Sequence, residues 1–523
     1  MTAGTAMLES LRHLARLLSI ARTLARHDAL FPLEEAGLAP GILFLARVLA
    51  RPKRSEARPG QRLVAALPEL GPSFIKLGQA LSVRSDLLGE RMADDLSALQ
   101  DRLPPFPARE ARATIEAELG KPVDELFASF ADEPVAAASI AQVHYAETSE
   151  GGSVAVKVLR PRIEEAFARD LALFEWLAAL AERNRPELRR LKPRAVVGFF
   201  REMVTIELDL RLEAAAASEF AESLADDPRV RIPKVDWQRT SRRVLTLERI
   251  DGIPVDERES LVAHGHDPDA IVAHAAECFF NQVFRNGFFH ADMHPGNLSI
   301  DEEGRLVMVD FGIMGRIDAK TRDYLAEMLT GFLDGDYRRV ADVHFRAGYV
   351  PARKSRDAFM QACRAIGEPI LNKPLHEISL GRLLGQLFAV TETFEMETQP
   401  QLLLLQKTML QAEGLGRKLN PEINMWALAR PLAELWMREA RAPAVVVGET
   451  VRELAETAAG LPEIAREARA LLSDFKRGGL RLHPDTLAAL AGRERRGATR
   501  FWPLWLALGV LLVALFLFLR APS

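Results

Sequence analysis

Cysteine is nearly absent from the chain: Cys278 and Cys363 are the only two in 523 residues. A disulfide framework and a cysteine-based zinc site are thereby excluded, and each thiol lies inside an apolar helical pattern, as expected of core residues in a reducing compartment. An excess of one charge is also lacking. Lys plus Arg number 68 against 72 Asp plus Glu, for a net charge of -4, and with no RNA- or DNA-binding signature this argues against a nucleic-acid partner. The first thirty residues carry Glu9, Arg12, Arg16, Arg22 and Arg26 among their leucines. No uninterrupted apolar segment remains for a secretory signal, so the body of the protein is expected in the cytoplasm. There is no internal repeat, no long low-complexity tract, and no constellation that would hold a flavin, haem or iron.

What the sequence does contain begins at its far end. Phe501 to Leu519 is an uncharged run of 19 residues, about 28 Å long as a helix against a hydrocarbon core of ~30 Å, and it reads as a transmembrane span. Arg493, Arg495, Arg496 and Arg500 precede the run and Arg520 alone follows it. The positive-inside rule then keeps the N-terminal body cytoplasmic, with Trp502 and Trp505 at the interface. This describes a single-pass C-terminal anchor. At the other end, residues 8–30 repeat leucine and alanine at helical spacing with arginines between them. Two readings stand for them: a helix on an anionic membrane surface, or a helix packed on the body.

Between the two ends, a helical block closes near Leu103-Pro104-Pro105. Strand-like segments follow at Val135–Glu147 and Ser153–Leu159, then a long helical stretch from Pro161 to Leu224. Short strands near Val244–Arg249 and Leu306–Val309 flank a helix over Ile271–Arg285, and from Ala319 to about Leu490 nearly everything reads as helix. The pattern is a small mixed lobe followed by a large helical one.

Chemistry resides in three separated elements. Lys157 stands in the middle of the β-branched run Val154–Val158, where an ammonium requires a phosphate or carboxylate partner. Asp292 precedes Asn297 by five residues in His290-Ala291-Asp292-Met293-His294-Pro295-Gly296-Asn297, and Asp310-Phe311-Gly312 comes eighteen residues after Asp292. That order and spacing match the phosphoryl-transfer set of protein kinases. In that chemistry Asp310 and Asn297 hold Mg²⁺ on the phosphates of ATP, Lys157 neutralises the α/β-phosphates, and Asp292 orients the acceptor. The departures carry information too. In place of a glycine-rich loop stands Pro134-Val135-Ala136-Ala137-Ala138-Ser139-Ile140-Ala141-Gln142-Val143-His144, so Ala136, Ala137, Ala138, Ser139, Gln142 and Val143 are the candidate nucleotide contacts. Alanine reaches positive φ less readily than glycine, so this loop is expected to be stiffer and to approach phosphates differently. Ala291 replaces the usual arginine and no Ala-Pro-Glu motif follows, which argues against control by activation-loop phosphorylation.

Four further features carry a closer resemblance: Ala-Ser-x-x-Gln-Val-His in that loop, Phe74-Ile75-Lys76-Leu77-Gly78-Gln79 upstream, Glu207-Leu208-Asp209 before Glu213, and His-Ala-Asp-Met-His-Pro-Gly-Asn. In these the chain resembles the UbiB/ADCK family of atypical kinases. The resemblance implies an α+β, protein-kinase-like two-lobe fold with an N-terminal helical extension and a C-terminal transmembrane helix. Expected boundaries are an amphipathic helical region at 1–58, an extension at 59–130, an N-lobe at 131–255, a helical C-lobe at 256–490, and a basic linker with anchor at 491–523. It further implies that Lys76, Gly78 and Gln79 fold over the active site, with Lys76 near the Glu207 and Asp209 carboxylates, and that Glu213 pairs with Lys157. Two acids at i, i+2 do not share a helix face, so one is expected to meet Lys76 and the other a metal or the phosphates. By family, the function would be Mg-ATP-dependent support of ubiquinone biosynthesis at the bacterial inner membrane. The partners would be membrane lipid, polyprenyl quinone intermediates and the enzymes of that pathway. Competing readings are a small-molecule phosphotransferase of the aminoglycoside/choline kinase type and a non-catalytic pseudokinase scaffold.

Overall fold

The computed structural model describes residues 3–35, 40–50, 56–82, 88–99, 103–184, 193–369 and 400–420, with a few further positions between 386 and 436. All of them belong to one compact unit, residues 1–440. The expected span at 501–519 lies outside the described residues, among which no helix is long and apolar enough to cross a membrane.

The chain enters through helices α1 (Ala3–Arg26), α2 (Pro40–Leu49), α3 (Pro59–Leu70), α4 (Pro72–Ser82) and α5 (Glu90–Ser97). The apolar face of α1 is spent on the protein itself: Leu17, Ile20, Ala21 and Leu24 are buried in one core with Leu67, Leu70, Phe74 and Ile75. Each large aliphatic side chain buried this way contributes about 1.5–3 kcal/mol. Of the two readings of residues 8–30, packing on the body is therefore the one adopted. Arg16 secures the contact, its guanidinium meeting both oxygens of the buried Asp170 at 2.9 and 3.0 Å and the Leu70 carbonyl at 3.0 Å.

The small lobe is a five-stranded antiparallel sheet of β1 (Phe127–Phe130), β2 (Ala136–Ala137), β3 (Ala141–Thr148), β4 (Ser153–Leu159) and, after β5 (Val230–Arg231), β6 (Val244–Glu248). The order is β1-β3-β4-β6, with β2 paired to β3. Strand alternation sorts β4 into two faces. Val154, Val156 and Val158 pack with Ala111 and Ile115 of α6 (Ala108–Leu119), whereas Lys157 lies on the opposite face.

The expected helical stretch from Pro161 to Leu224 contains, among the described residues, the helices α7 (Ile163–Asn184), α8 (Pro193–Glu207) and α9 (Leu210–Ser223). The last break comes from Asp209, whose carboxylate caps α9 by accepting from the Arg211 amide. Beyond the small lobe, α10 (Pro268–Asn281) packs its phenylalanines with Phe220 of α9 and with short strands β8 (Phe288–His290), β9 (Leu298–Ile300) and β10 (Leu306–Met308). Before α10, β7 (Ile253–Pro254) edges the sheet β5-β10-β9-β7, and β11 (Met314–Arg316) pairs with β8. Helices α11 (Ala319–Leu333), α12 (Tyr337–Arg346) and α13 (Arg356–Gly367) surround a separate cluster of Tyr337, Val340, Phe359 and Cys363. Helix α14 (Pro400–Leu419) returns to the Phe220–Phe311 core through Leu405, Leu415 and Leu419. Both cysteines are buried, and burial pushes each thiol up to about 12, which leaves them inert core residues.

Candidate functional site

The register of β3 and β4 sets up the site. Val143 stands opposite Lys157, so the two share a face, while Gln142 stands opposite Val158 on the other. The Gln142 amide accordingly turns away from the lysine. Its Oε1 accepts from the Phe106 amide at 3.0 Å and its Nε2 donates to the Phe106 carbonyl at 3.2 Å, with His144 Nε2 2.8 Å away. Gln142, expected among the nucleotide contacts, is thus a buried brace for the segment entering α6. Ala136 and Ala137 form a two-residue strand on Val143 and Gln142, and Arg160 fastens the turn by donating to the Ala138 carbonyl from Nε and Nη2. Ser139 is wholly buried. These ties hold the alanine turn to β3 and to Arg160.

Lys157 Nζ donates to both Glu213 oxygens, at 2.7 and 2.9 Å, and to Asp310 Oδ1 at 3.1 Å. Burial alone would push the ammonium down, but the Asp310 and Glu213 carboxylates outweigh it and hold Lys157 above its usual range. Burial pushes Glu213 up to about 7 against the pull of Lys157, while Lys157 holds Asp310 well below the usual carboxylate range. The Asp310 side chain remains 53% exposed, open to the cleft. Its φ is +64°, a left-handed backbone that Asp and Asn tolerate better than other side chains. Phe311 beside it is buried, with ring centroids 5.8 Å from Phe220 and 5.7 Å from His290.

Two backbone bonds tie the loop of Asp292 to the Asp310 segment: Ala291 N to Ile313 O at 3.0 Å and Val309 N to Asn297 O at 3.0 Å. His290 locks the turn. The Asp292 amide donates to its Nδ1 at 3.2 Å, so Nε2 carries the proton and donates to the Val309 carbonyl at 3.1 Å. Burial lowers the pKa of this ring and favours that neutral form. Asn297 Nδ2 donates to the Asp292 carbonyl at 3.0 Å, which leaves the amide oxygen as the donor atom available to a cation. Among the described residues no group of three or more His, Cys, Asp or Glu could hold a metal by itself. A kinase-type Mg²⁺ does not need one, because phosphate oxygens and water complete its shell. One half-exposed carboxylate and one amide oxygen fit that requirement.

Lys76 Nζ lies 3.0 Å from Glu207 Oε1, both side chains being about nine-tenths buried. Its charge also reaches Asp310, where it adds to the lowering of that carboxylate. Of the two acids Glu207 is the one that meets Lys76. Asp209 caps α9 and pairs with Arg211 at 2.6 Å. A Cβ at Gly78 would lie 2.7 Å from side-chain carbons of both Leu67 and Leu99, so glycine is what allows α4 to close against α3. Gln79 is half-buried, its carbonyl accepting from Ser82 Oγ. Two site residues have no counterpart in the sequence reading: Lys407 Nζ and Gln411 Nε2, both on α14, donate to Asp292 Oδ1 at 2.9 and 2.8 Å. The only signal they offered was their spacing of one helical turn.

A lysine–glutamate pair under a small antiparallel lobe, an Asp-Phe-Gly aspartate facing it, and an Asp/Asn loop beneath define an atypical protein-kinase-like fold and site. The ABC1 atypical kinase-like domain matches residues 98–344 and the UbiB helical domain residues 363–424. The "Probable protein kinase UbiB" of Marinobacter nauticus is 41% identical over 501 residues, covering 94% of this chain and 91% of the relative. That of Azotobacter vinelandii is 41% identical over 523 residues, covering 95% and 96%. A solved Mycobacterium tuberculosis structure, described as the complex of Rv3197 with erythromycin, matches with a TM-score of 0.50 and 28% identity over 71% of this chain and 94% of that one. The chain belongs to the UbiB family of atypical kinase-like proteins.

Proposed function

We propose that this chain binds Mg-ATP and turns it over to support ubiquinone biosynthesis at the membrane, by handling polyprenyl-phenol or quinone intermediates. The observation that carries the proposal is Lys157 shared between Glu213 and Asp310, with Lys76 committed to Glu207. In this reading Lys157 neutralises the α/β-phosphates, Val143 and the alanine turn line the nucleotide, and Asp310 and Asn297 hold Mg²⁺. When bound, the ion would supply charge neutralisation on the phosphates. In this reading α4, whose Lys76 is bound to Glu207 and acts electrostatically on Asp310, takes the place of a protein substrate, which favours a small acceptor or water.

The test is ATP hydrolysis by the full chain in lipid nanodiscs, with and without Mg²⁺, anionic lipid and a quinone-precursor analogue, beside ubiquinone levels in cells lacking their own copy. Mg²⁺-dependent turnover and restored ubiquinone are expected. Absence of both Mg²⁺-dependent nucleotide binding and turnover would overturn the reading.

The membrane attachment belongs to the same proposal, resting on the apolar run at 501–519 and on an α1 whose apolar face is already buried. Ending the chain at Arg500 is expected to move the protein to the soluble fraction. Resistance of that shortened chain to alkaline carbonate extraction would count against a single C-terminal anchor.

A further inference from the structure

We propose that Lys407 and Gln411 complete the acceptor side of the site, with Gln411 and Asp292 together orienting the water that attacks the terminal phosphate of ATP. The inference rests on the Mg-ATP reading above and specifies its acceptor. It also means that the catalytic centre is incomplete without the helical domain, because both residues lie within the 363–424 match and outside the kinase-like one.

The geometry around Asp292 is asymmetric. Both α14 donors converge on Oδ1, at 2.9 and 2.8 Å, while among the described residues Oδ2 has only a long contact of 3.4 Å from Asn297 Nδ2. Residues four apart on a helix share a face, so α14 offers this pair as a unit, seated by the buried Leu405 and Leu415. The Gln411 amide has one possible orientation, since reversing it would set its oxygen against a carboxylate. That leaves Gln411 Oε1 buried and without a hydrogen-bond partner, a condition that is costly unless something donates to it. The vicinity therefore offers two acceptors with spare capacity, Gln411 Oε1 and Asp292 Oδ2. A water donates two hydrogens and satisfies both, whereas the hydroxyl of an alcohol or phenol donates one. In the step so arranged, the water oxygen forms a bond to the γ-phosphorus as the bond from that phosphorus to the bridging oxygen breaks. The electron pair of the broken bond leaves with ADP, and the proton of the water passes to the phosphate released. Lys407, ion-paired to Asp292, fixes the carboxylate and contributes positive charge beside the group in flight.

The experiment uses the full chain in nanodiscs and compares Gln411→Leu, Gln411→Met, Lys407→Met and Lys407→Arg by phosphate release and by binding of a fluorescent ATP analogue with Mg²⁺. Gln411→Leu and Gln411→Met are expected to lower kcat about 100-fold, the scale of a lost orienting group, with nucleotide affinity unchanged. Lys407→Arg should recover much of the turnover that Lys407→Met loses. Wild-type kcat in either Gln411 variant would overturn the assignment. So would nucleotide binding and turnover falling together in both, which would mark a structural role. Failure of the unmodified chain to hydrolyse ATP would instead refute the reading beneath it, and the two failures are distinguished by which protein shows them.

Discussion

Asp310→Asn is expected to remove Mg²⁺-dependent nucleotide binding while leaving the fold in place. The two side chains are nearly the same size, and the left-handed φ of +64° at this position is one that asparagine adopts as readily. Lys157 keeps both of its bonds to Glu213, and the asparagine Oδ1 can still accept from it where Asp310 Oδ1 did. What disappears is the anionic ligand. A charge-assisted interaction of ~3 kcal/mol converts to a loss of at least about 100-fold in Mg-nucleotide affinity. Thermal-shift titration reads this directly: the wild type should gain stability as Mg-ATP is added and the variant should not. An Asp310→Asn protein that is stabilised by Mg-ATP like its parent would remove the kinase-type site from consideration.

The second large effect belongs to Lys76. Glu207 Oε1 takes its hydrogen bond from this lysine, and Glu207 Oε2 is buried without a partner. Lys76→Ala therefore strands a carboxylate, and breaking a buried pair from one side costs about 3–5 kcal/mol. The covering segment answers by loosening until water reaches Glu207. The expected phenotype is lower thermal stability, nucleotide binding kept or strengthened, self-phosphorylation appearing in vitro, and no restoration of ubiquinone. Lys76→Ala combined with Glu207→Gln should recover stability without recovering ubiquinone, which separates the lid function from simple unfolding. Normal ubiquinone with unchanged nucleotide behaviour in Lys76→Ala would return an open acceptor groove to first place.

Much of this site could be read before its coordinates because its parts are local. The strand of Lys157 announces itself by its β-branched residues, and Asp292, Asn297 and Asp310 occur within two short loops whose spacing reflects the chemistry. Glu213, Lys76 and Glu207 are legible only through family resemblance, since no spacing ties α4 to α8 or α9 to β4. Neighbours on a strand face opposite sides, so the Gln142 side chain turns away from the face of Val143 and holds Phe106 instead. The break before α9 was likewise written in the chain, Asp209 standing just ahead of an apolar helix start. Lys407 and Gln411 are different. They lie 115 and 119 residues from Asp292, and a lysine and a glutamine one turn apart on a helix look like any solvated face until the core contacts of Leu405 and Leu415 turn them inward.

The single residue between Glu207 and Asp209 has a thermodynamic meaning. Leu208 is buried, α8 ends immediately before it, and Asp209 caps the helix whose first turn carries Glu213. The acid that holds the lid and the acid that holds Lys157 are thus mounted on two levers sharing one pivot. Coupling of this kind is reciprocal. Were a nucleotide between Lys157 and Asp310 to alter the grip of Glu207 on Lys76, displacing Lys76 would alter nucleotide affinity by the same factor.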